Sequence, residues 1–479
     1  MTAALASDLA GRSLCEIVDL ATRGQVSAVE IASASFALVD ALDPVHHAFV
    51  SQDRDGAMAA AARIDAERAR GGEAGLLHGA PLAHKDMYDR EGRVSANGSR
   101  VRAGHVAHAT ADVIERLDGA GALDLGRLAM VEFAMGPHGF NANLPRALNP
   151  WGHDRIPCGS SSGSGVAVSS RMVAGSLGSD TGGSIRCPAA ANGIVGCVPT
   201  NSLVSRRGVM PMSWSLDVVG PLTRTVRDAA RMLRVIAHPG AGASVDYEAG
   251  LEAPLAGLRI GVPEGYFDQC LAPDVAAALD RSRDVFAQSG ATLVPVCMPA
   301  AVALSSSLHP LVMKAEGAAN HRPWKRDRSS DYSEEVGRRL EAGFFILATD
   351  YINALQYRAS ALREMLNEVF DKVDAVHAPV LPIATPTLDE TAYRDGPAYL
   401  DMVVSLTRNT RPINFLGLTA LSVPCGYTAD GMPTSFQLIG RPFSEPTLFR
   451  LGHRYERETA WYRDVPRTLQ RNVLQVQAN

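Results

Sequence analysis

Little in this chain points to a macromolecular or membrane partner. Lys+Arg number 46 against 51 Asp+Glu, a formal charge of −5. That leaves no basic footprint of the kind nucleic acid selects. No apolar run approaches the ~20 residues of a bilayer-crossing helix. The first ten residues are apolar but lack a basic lead, which argues against a secretion signal. The cysteines number seven, an odd count, and are scattered with no C-x-x-C. That argues against a disulfide framework and a zinc site, and fits reduced thiols in a cytoplasmic protein. No repeat, linker or low-complexity segment breaks the sequence. At 479 residues it could hold two or three average domains, but large α/β sheets also reach this length as one unit.

What the chain has is small residues, gathered in one place. Gly159-Ser160-Ser161-Ser162-Gly163-Ser164-Gly165 is one cluster, and Gly178-Ser179-Asp180-Thr181-Gly182-Gly183-Ser184 is a second. Between them Val166 to Val173 reads as about two helical turns. Glycine lets backbone approach a ligand closely. A glycine-rich turn leading into a helix leaves N–H groups free to stabilise an anion, including one that exists only in a transition state. A serine in that setting can be a nucleophile if a base takes its proton. One such cluster alone reads as a tight loop; two, followed by Ile185-Arg186-Cys187-Pro188, argue for more.

This stretch resembles the amidase signature enzymes, whose pattern runs G-G-S-S-G-G-S and then G-T-D-T-G-G-S-I-R-x-P-A. The first and last serines stand 184 − 160 = 24 residues apart here, as in the family. The family's upstream G-x-P-x-x-x-K-D is matched by Gly79-Ala80-Pro81-Leu82-Ala83-His84-Lys85-Asp86. The resemblance implies that Lys85 is the base, Ser160 a proton relay preceded by a cis peptide, and Ser184 the nucleophile. The N–H groups of Thr181, Gly182, Gly183 and Ser184 would form the oxyanion hole. It also implies an α/β fold with a mixed central sheet between helices. Residues 1–479 are expected as one domain, with a helical layer over 1–70 and the signature core over about 75–225. A variable segment over about 298–349 would line the pocket. No cofactor and no metal are implied. The expected partner is a small-molecule amide, without nucleic acid or membrane, and the N-terminal helices would suit a homodimer contact.

The chemistry demands these parts. An amide is a poor electrophile with a poor leaving group, so hydrolysis needs a nucleophile, a proton-returning base and an oxyanion site. A free lysine near pKa 10.4 is neutral in only about one molecule in 2,500 at pH 7, a deficit of ~4.6 kcal/mol. Lys85 must therefore be buried to serve as a base. Arg186 could hold a substrate carboxylate, but an ion pair with Asp180 or another acid is the simpler role. Asp86 reads as an acceptor for loop N–H groups, and His84 faces away from Lys85 in a regular strand. Met135 and Trp214 are candidate substrate contacts; Phe344 and Phe345 are further apolar candidates.

Some positions depart from the pattern. Cys158 and Ser162 stand where the family has glycine, and Ser179 where it has threonine. Gly196-Cys197-Val198-Pro199-Thr200 lacks the lysine of G-L-K-P-T, which is common in the tRNA amidotransferase branch of the family. The leading expectation is a serine amidase acting through an acyl-enzyme on a carboxamide, carbamate, urea or ester. The alternatives are the A subunit of a glutamine-dependent tRNA amidotransferase, or an α/β-hydrolase. The last would use Ser161 of G-x-S-x-G with a histidine such as His377 or His453. A non-catalytic binding module would leave the lysine–serine–serine order without a reason.

Elsewhere, Ser13–Glu16 and Ser27–Glu30 are S-x-x-E capping boxes. The second opens a helix to about Leu42, before Asp43-Pro44. Helices are expected over 53–70, 113–119, 226–236 and 350–373, and from about 445. Strands are expected over 82–85, 123–126, 175–178, 193–198, 258–262, 291–296 and 375–382.

Overall fold

The computed structural model describes residues 2–238, 245–392 and 397–469. One sheet of eleven strands runs through them. The strands are β1 (Phe49–Gln52), β2 (Pro81–Lys85), β3 (Leu123–Leu128), β4 (Gly175–Asp180), β5 (Val195–Val198), β6 (Val218–Thr223), β7 (Arg259–Glu264), β8 (Thr292–Cys297), β9 (Ala375–Pro379), β10 (Thr419–Tyr427) and β11 (Pro433–Gly440). Their order is β1-β3-β2-β4-β6-β5-β10-β11-β9-β7-β8. The sheet is mixed: β2 is parallel to β3 and β4, and β7 to β8 and β9, while the other pairs are antiparallel.

Both faces are covered. Successive strand residues point to opposite sides. Accordingly Leu82 and Ala83, Cys197 and Val198, and Val219 and Val218 divide between two separate apolar clusters. Helices 14–22, 112–119 and 226–236 close one cluster, and helices 28–46, 54–69 and 162–169 the other. Central strands buried on both faces read as runs of small and apolar residues rather than alternating ones; β2, β4 and β6 are buried throughout.

Both capping boxes form. Glu16 N–H donates to Ser13 Oγ at 3.2 Å and Ser13 N–H to Glu16 at 2.7 Å, and the same exchange joins Ser27 and Glu30. The second helix does not stop at Asp43. It carries Pro44 in its last turn and ends at His46. There Asp43 accepts N–H bonds from Ala48 and Phe49, at 2.7 and 3.1 Å, and turns the chain into β1. So residues 1–70 are not a purely helical layer: β1 is an edge strand paired with β3.

The least legible segment is the most regular. Residues Ala300–Asp327 form one 28-residue helix with Pro310 and Pro323 inside it. Two prolines and buried His309, Glu316 and His321 erase the apolar period that would have announced it. The helix expected over 350–373 divides into Ala348–Met365 and a π-turn at Leu366–Phe370.

Gly163 shows how tightly the first glycine-serine cluster is seated. A Cβ there would lie 2.5 Å from Ala129 N and 2.6 Å from Ala48 O, both backbone atoms that no rotamer can move. Gly163→Ala is therefore expected to lower unfolding free energy by ~1–3 kcal/mol or more, read as a fall in the urea midpoint at unchanged slope.

Candidate active site

Topology brings the two motifs together. β2 and β4 are parallel neighbours, with Leu82 opposite Gly175, so both end at the same edge of the sheet. Lys85 is the last residue of β2, and residues 181–184 follow the last residue of β4. The helix Ser162–Ser169 starts between them, which sets Ser160 beside Lys85. The Gly159–Ser160 peptide is cis. Cys158, just before it, adopts φ +54°, the left-handed region where glycine is the easy choice.

Lys85 Nζ lies 2.6 Å from Ser160 Oγ and 2.9 Å from Ser179 Oγ, hydrogen bonded to both. Lys85 and Ser160 have no exposed surface. Burial pushes the lysine pKa down to about 7; Asp217 and Asp180, the nearby acids, oppose the shift without cancelling it. Ser161 N–H donates to the Ser184 carbonyl at 3.3 Å, so the two clusters are stitched together at their serines. Ser184 itself is half-buried and opens onto a cleft of about 340 Å³.

The turn after β4 is held from several sides. Asp180 and Arg186 have no exposed surface and pair at 3.0 Å. Asp180 Oδ1 also accepts Gly183 N–H at 2.6 Å, and Oδ2 accepts Ile185 N–H at 3.1 Å. Burial alone would raise the Asp180 pKa, but Arg186 and these N–H groups outweigh it and hold it low. Arg186 is further bonded to Gln437 at 3.0 Å and to the Thr410 carbonyl at 3.0 Å. It is thus not free to hold a substrate carboxylate. Thr181 Oγ1 donates to Asp217 at 2.6 Å, and Thr410 Oγ1 to the Gly182 carbonyl at 2.6 Å.

The expected oxyanion set needs one correction. The Gly183 N–H is already committed to Asp180, because that acid must collect several donors to stay ionised when buried. Thr181, Gly182 and Ser184 line the cleft. Gly182 is required there: a Cβ would come within 2.7 Å of His309 Cε1. His309 Nε2 lies 2.8 Å from the Thr181 carbonyl. A carbonyl only accepts, so that nitrogen carries the proton. Burial pushes the ring's pKa down to about 3, so it stays neutral.

Met135 lines the cleft, together with His309, Met313 and Gly317. The last three recur at four-residue intervals and so share one face of the long helix. Trp214 does not line it; its side chain is 49% exposed, as loop position outweighs apolar character there. Phe344 and Phe345 are also outside the lining, and Phe345 is 85% exposed. The α/β-hydrolase alternative finds no support. Ser161 Oγ is buried and donates to the Ser179 carbonyl, His377 pairs with Ser282, and His453 with Glu252. Cys158 is buried and its thiol pKa is raised well above the ordinary value by burial. Asp86 accepts Gly98 N–H at 3.1 Å, and His84 accepts Leu177 N–H at 3.2 Å, away from the serines.

Sequence reasoning missed several supporting groups. Ser179 was visible only as a departure from the pattern. His309 and Thr410 carry no motif, and reach the turn from distant parts of the chain; Asp217 lies in Leu216-Asp217-x-x-Gly220-Pro221, which resembles the family.

A mixed α/β sheet with a buried lysine and two serines at one strand edge defines an enzyme of the amide-hydrolysing class. A family model described as Amidase matches residues 30–449, and the chain belongs to that family, the amidase signature enzymes. The chain is 38% identical to the A subunit of a glutamyl-tRNA(Gln) amidotransferase of Myxococcus xanthus (strain DK1622), over 94% of this chain and 98% of that one. A solved structure of a vestigial protein complex, bearing on the origins of an s-triazine catabolic enzyme, superposes with TM-score 0.87 at 31% identity. It covers 94% of this chain and 99% of that one. The native peptide amidase of Stenotrophomonas maltophilia gives TM-score 0.79 at 28% identity, covering 94% and 97%. These relatives correct one expectation. A small-molecule amide as the sole partner, with at most a second copy, does not fit a chain whose relatives are subunits of larger assemblies. Net charge misled because it reports on direct nucleic-acid contact and not on protein partners. Among the described residues no helix is long and apolar enough to cross a membrane.

Breaking the Asp180–Arg186 pair leaves a buried uncompensated charge. Arg186→Met is expected to lower unfolding free energy by ~3–5 kcal/mol. Adding Asp180→Asn in the same chain should recover part of that loss, measured by chemical denaturation of both variants.

Proposed function

We propose that this chain is a serine amidohydrolase that opens a carboxamide C–N bond through an acyl-enzyme on Ser184. The observation that carries the reading is Lys85, without exposed surface, 2.6 Å from Ser160 and with its pKa brought down to about 7. At that value about half the molecules hold a neutral amine at pH 7. A neutral amine has one lone pair and two N–H donors. It accepts the Ser160 hydroxyl proton while donating to Ser179. Ser160 Oγ then takes the Ser184 proton as Ser184 attacks the carbonyl carbon. The N–H groups of Thr181, Gly182 and Ser184 receive the developing oxyanion, each such donor contributing ~3–4 kcal/mol to the barrier. The proton returns through Ser160 to the leaving nitrogen, and water repeats the sequence on the acyl-enzyme. A cytoplasmic setting fits this chemistry.

The relatives favour a second setting for the same chemistry. In it the chain is the A subunit of a tRNA amidotransferase and releases ammonia from glutamine for its partner. Against it stands the missing lysine at Cys197-Val198-Pro199-Thr200. Nor do the described residues of the cleft wall include a carboxylate that could meet the glutamine ammonium. Glutamine hydrolysis that requires an added B-type subunit decides for it; turnover of other amides by the isolated chain decides against it.

Ser184→Ala and Lys85→Ala are expected to lower kcat/KM at least ~10⁴-fold with circular dichroism and melting temperature retained. Either variant keeping its rate removes the assignment. The active base is the unprotonated form. Hence kcat/KM should rise with pH up to about 7 and then level off, and fall about tenfold per unit below. A flat profile between pH 5 and 8 would count against Lys85 as the base.

A further inference from the structure

Two cations in the cleft have no counter-ion among the described residues. Arg411 opens the short helix Arg411–Leu416, and its stem packs on the nucleophile turn: a Cβ at Gly182 would lie 3.5 Å from Arg411 Cγ. Lys314 comes from the long helix Ala300–Asp327, five residues beyond His309. Both side chains are half-buried and line the same cleft as Ser184. Among the described residues neither side chain has a hydrogen-bond or ion-pair partner. A further cation of the wall, Arg339, is engaged: it meets Glu335 at 2.8 Å and the Met135 carbonyl at 2.9 Å. Among the described residues no Asp or Glu lines the cleft.

Cations withdrawn from water are normally paired. Here burial lowers the pKa of both groups, Arg411 to about 10, and the charge of Arg339 adds to the shift in each. The rest of the wall is largely apolar, with Met212, Met313, Leu400 and Val404 among its members. A low-dielectric wall focuses uncompensated charge into a positive potential beside the nucleophile. A neutral acyl chain would leave that charge unmet, and an ammonium would be repelled by it.

We propose that Arg411 and Lys314 form a subsite for a carboxylate carried on the acyl part of the substrate, so that the preferred substrates are monoamides of dicarboxylic acids. The inference rests on the amidohydrolase reading and narrows it. The guanidinium supplies a planar fork for two parallel hydrogen bonds and the ammonium a point charge. The apolar wall takes the methylenes between carboxylate and amide. Hydrolysis then breaks the C–N bond, adds water across it, and releases the dicarboxylate with ammonia or an amine.

The test compares glutaramate, valeramide and glutamine, which match in chain length but differ in charge. For the wild-type protein, kcat/KM for glutaramate should exceed that for valeramide by about 100-fold, and glutamine should trail glutaramate. Arg411→Met and Lys314→Met should each cut the glutaramate/valeramide ratio by about 10- to 100-fold, as loss of a charged hydrogen bond does, and mainly through KM. Arg411→Lys should restore part of it. Calorimetric titration of glutarate into the Ser184→Ala protein reads the subsite without turnover; binding should disappear in Ser184→Ala/Arg411→Met at unchanged melting temperature. Equal rates on glutaramate and valeramide, or glutarate binding that survives both Arg411→Met and Lys314→Met, overturn the proposal and leave the amidohydrolase reading standing. Glutarate binding that is lost with Arg411, in a protein that turns over no amide, keeps the anion subsite and removes the amidohydrolase reading instead.

Discussion

The site depends on a charge pair that never meets substrate. Asp180 and Arg186 are six residues apart, both without exposed surface, and joined at 3.0 Å. Buried pairs contribute little net stability, because desolvation offsets attraction; what they do impose is geometry, since neither partner tolerates being left alone. Asp180 uses that constraint to fold the turn around itself. It draws in the N–H groups of Gly183 and Ile185, while Arg186 ties the turn to Gln437 and to the Thr410 carbonyl. Ser184 therefore stands on a turn with few alternative conformations, as the proposed oxyanion site requires.

The opposite wall is held by a different constraint. A lysine without solvent cannot easily keep its proton, and among the described residues Lys85 has only serine hydroxyls within hydrogen-bonding distance. The nearest acids are engaged elsewhere. Asp180 is paired with Arg186, and Asp217, its own pKa raised to about 6 by burial, takes the Thr181 hydroxyl and the Met212 and Ser213 N–H groups. Had either acid bonded Lys85 directly, the amine would have been fixed as a cation and lost as a base. Structural acids and the Lys85 amine share the site because their hydrogen bonds are kept apart.

The cleft beside Ser184 takes most of its lining from outside the two glycine-serine clusters. Its wall combines apolar side chains with cations from three helices. The relatives establish family and fold over nearly the whole chain. Family and fold do not by themselves name a substrate, because function lives in the site and not in the fold.

The sequence by itself singled out the candidate groups and their order. Lys85, Ser160 and Ser184 lie in motifs whose spacing is local, and Gly163 stands where backbone comes too close for a side chain. The capping boxes and most strands were legible for the same reason, since caps and periodicity act over a few residues. Tertiary structure alone decided what those groups can do. The parallel pairing of β2 with β4 brings Lys85 to the serines. Burial, a property of the whole packed sheet, brings its pKa down to about 7. The helix over 300–327 hid behind prolines and buried polar residues, yet it delivers His309 and Lys314 to the cleft, as distant Arg411 and Thr410 come from the other side. Contacts between residues more than a hundred positions apart leave no period or motif in one sequence, so only the folded chain discloses them.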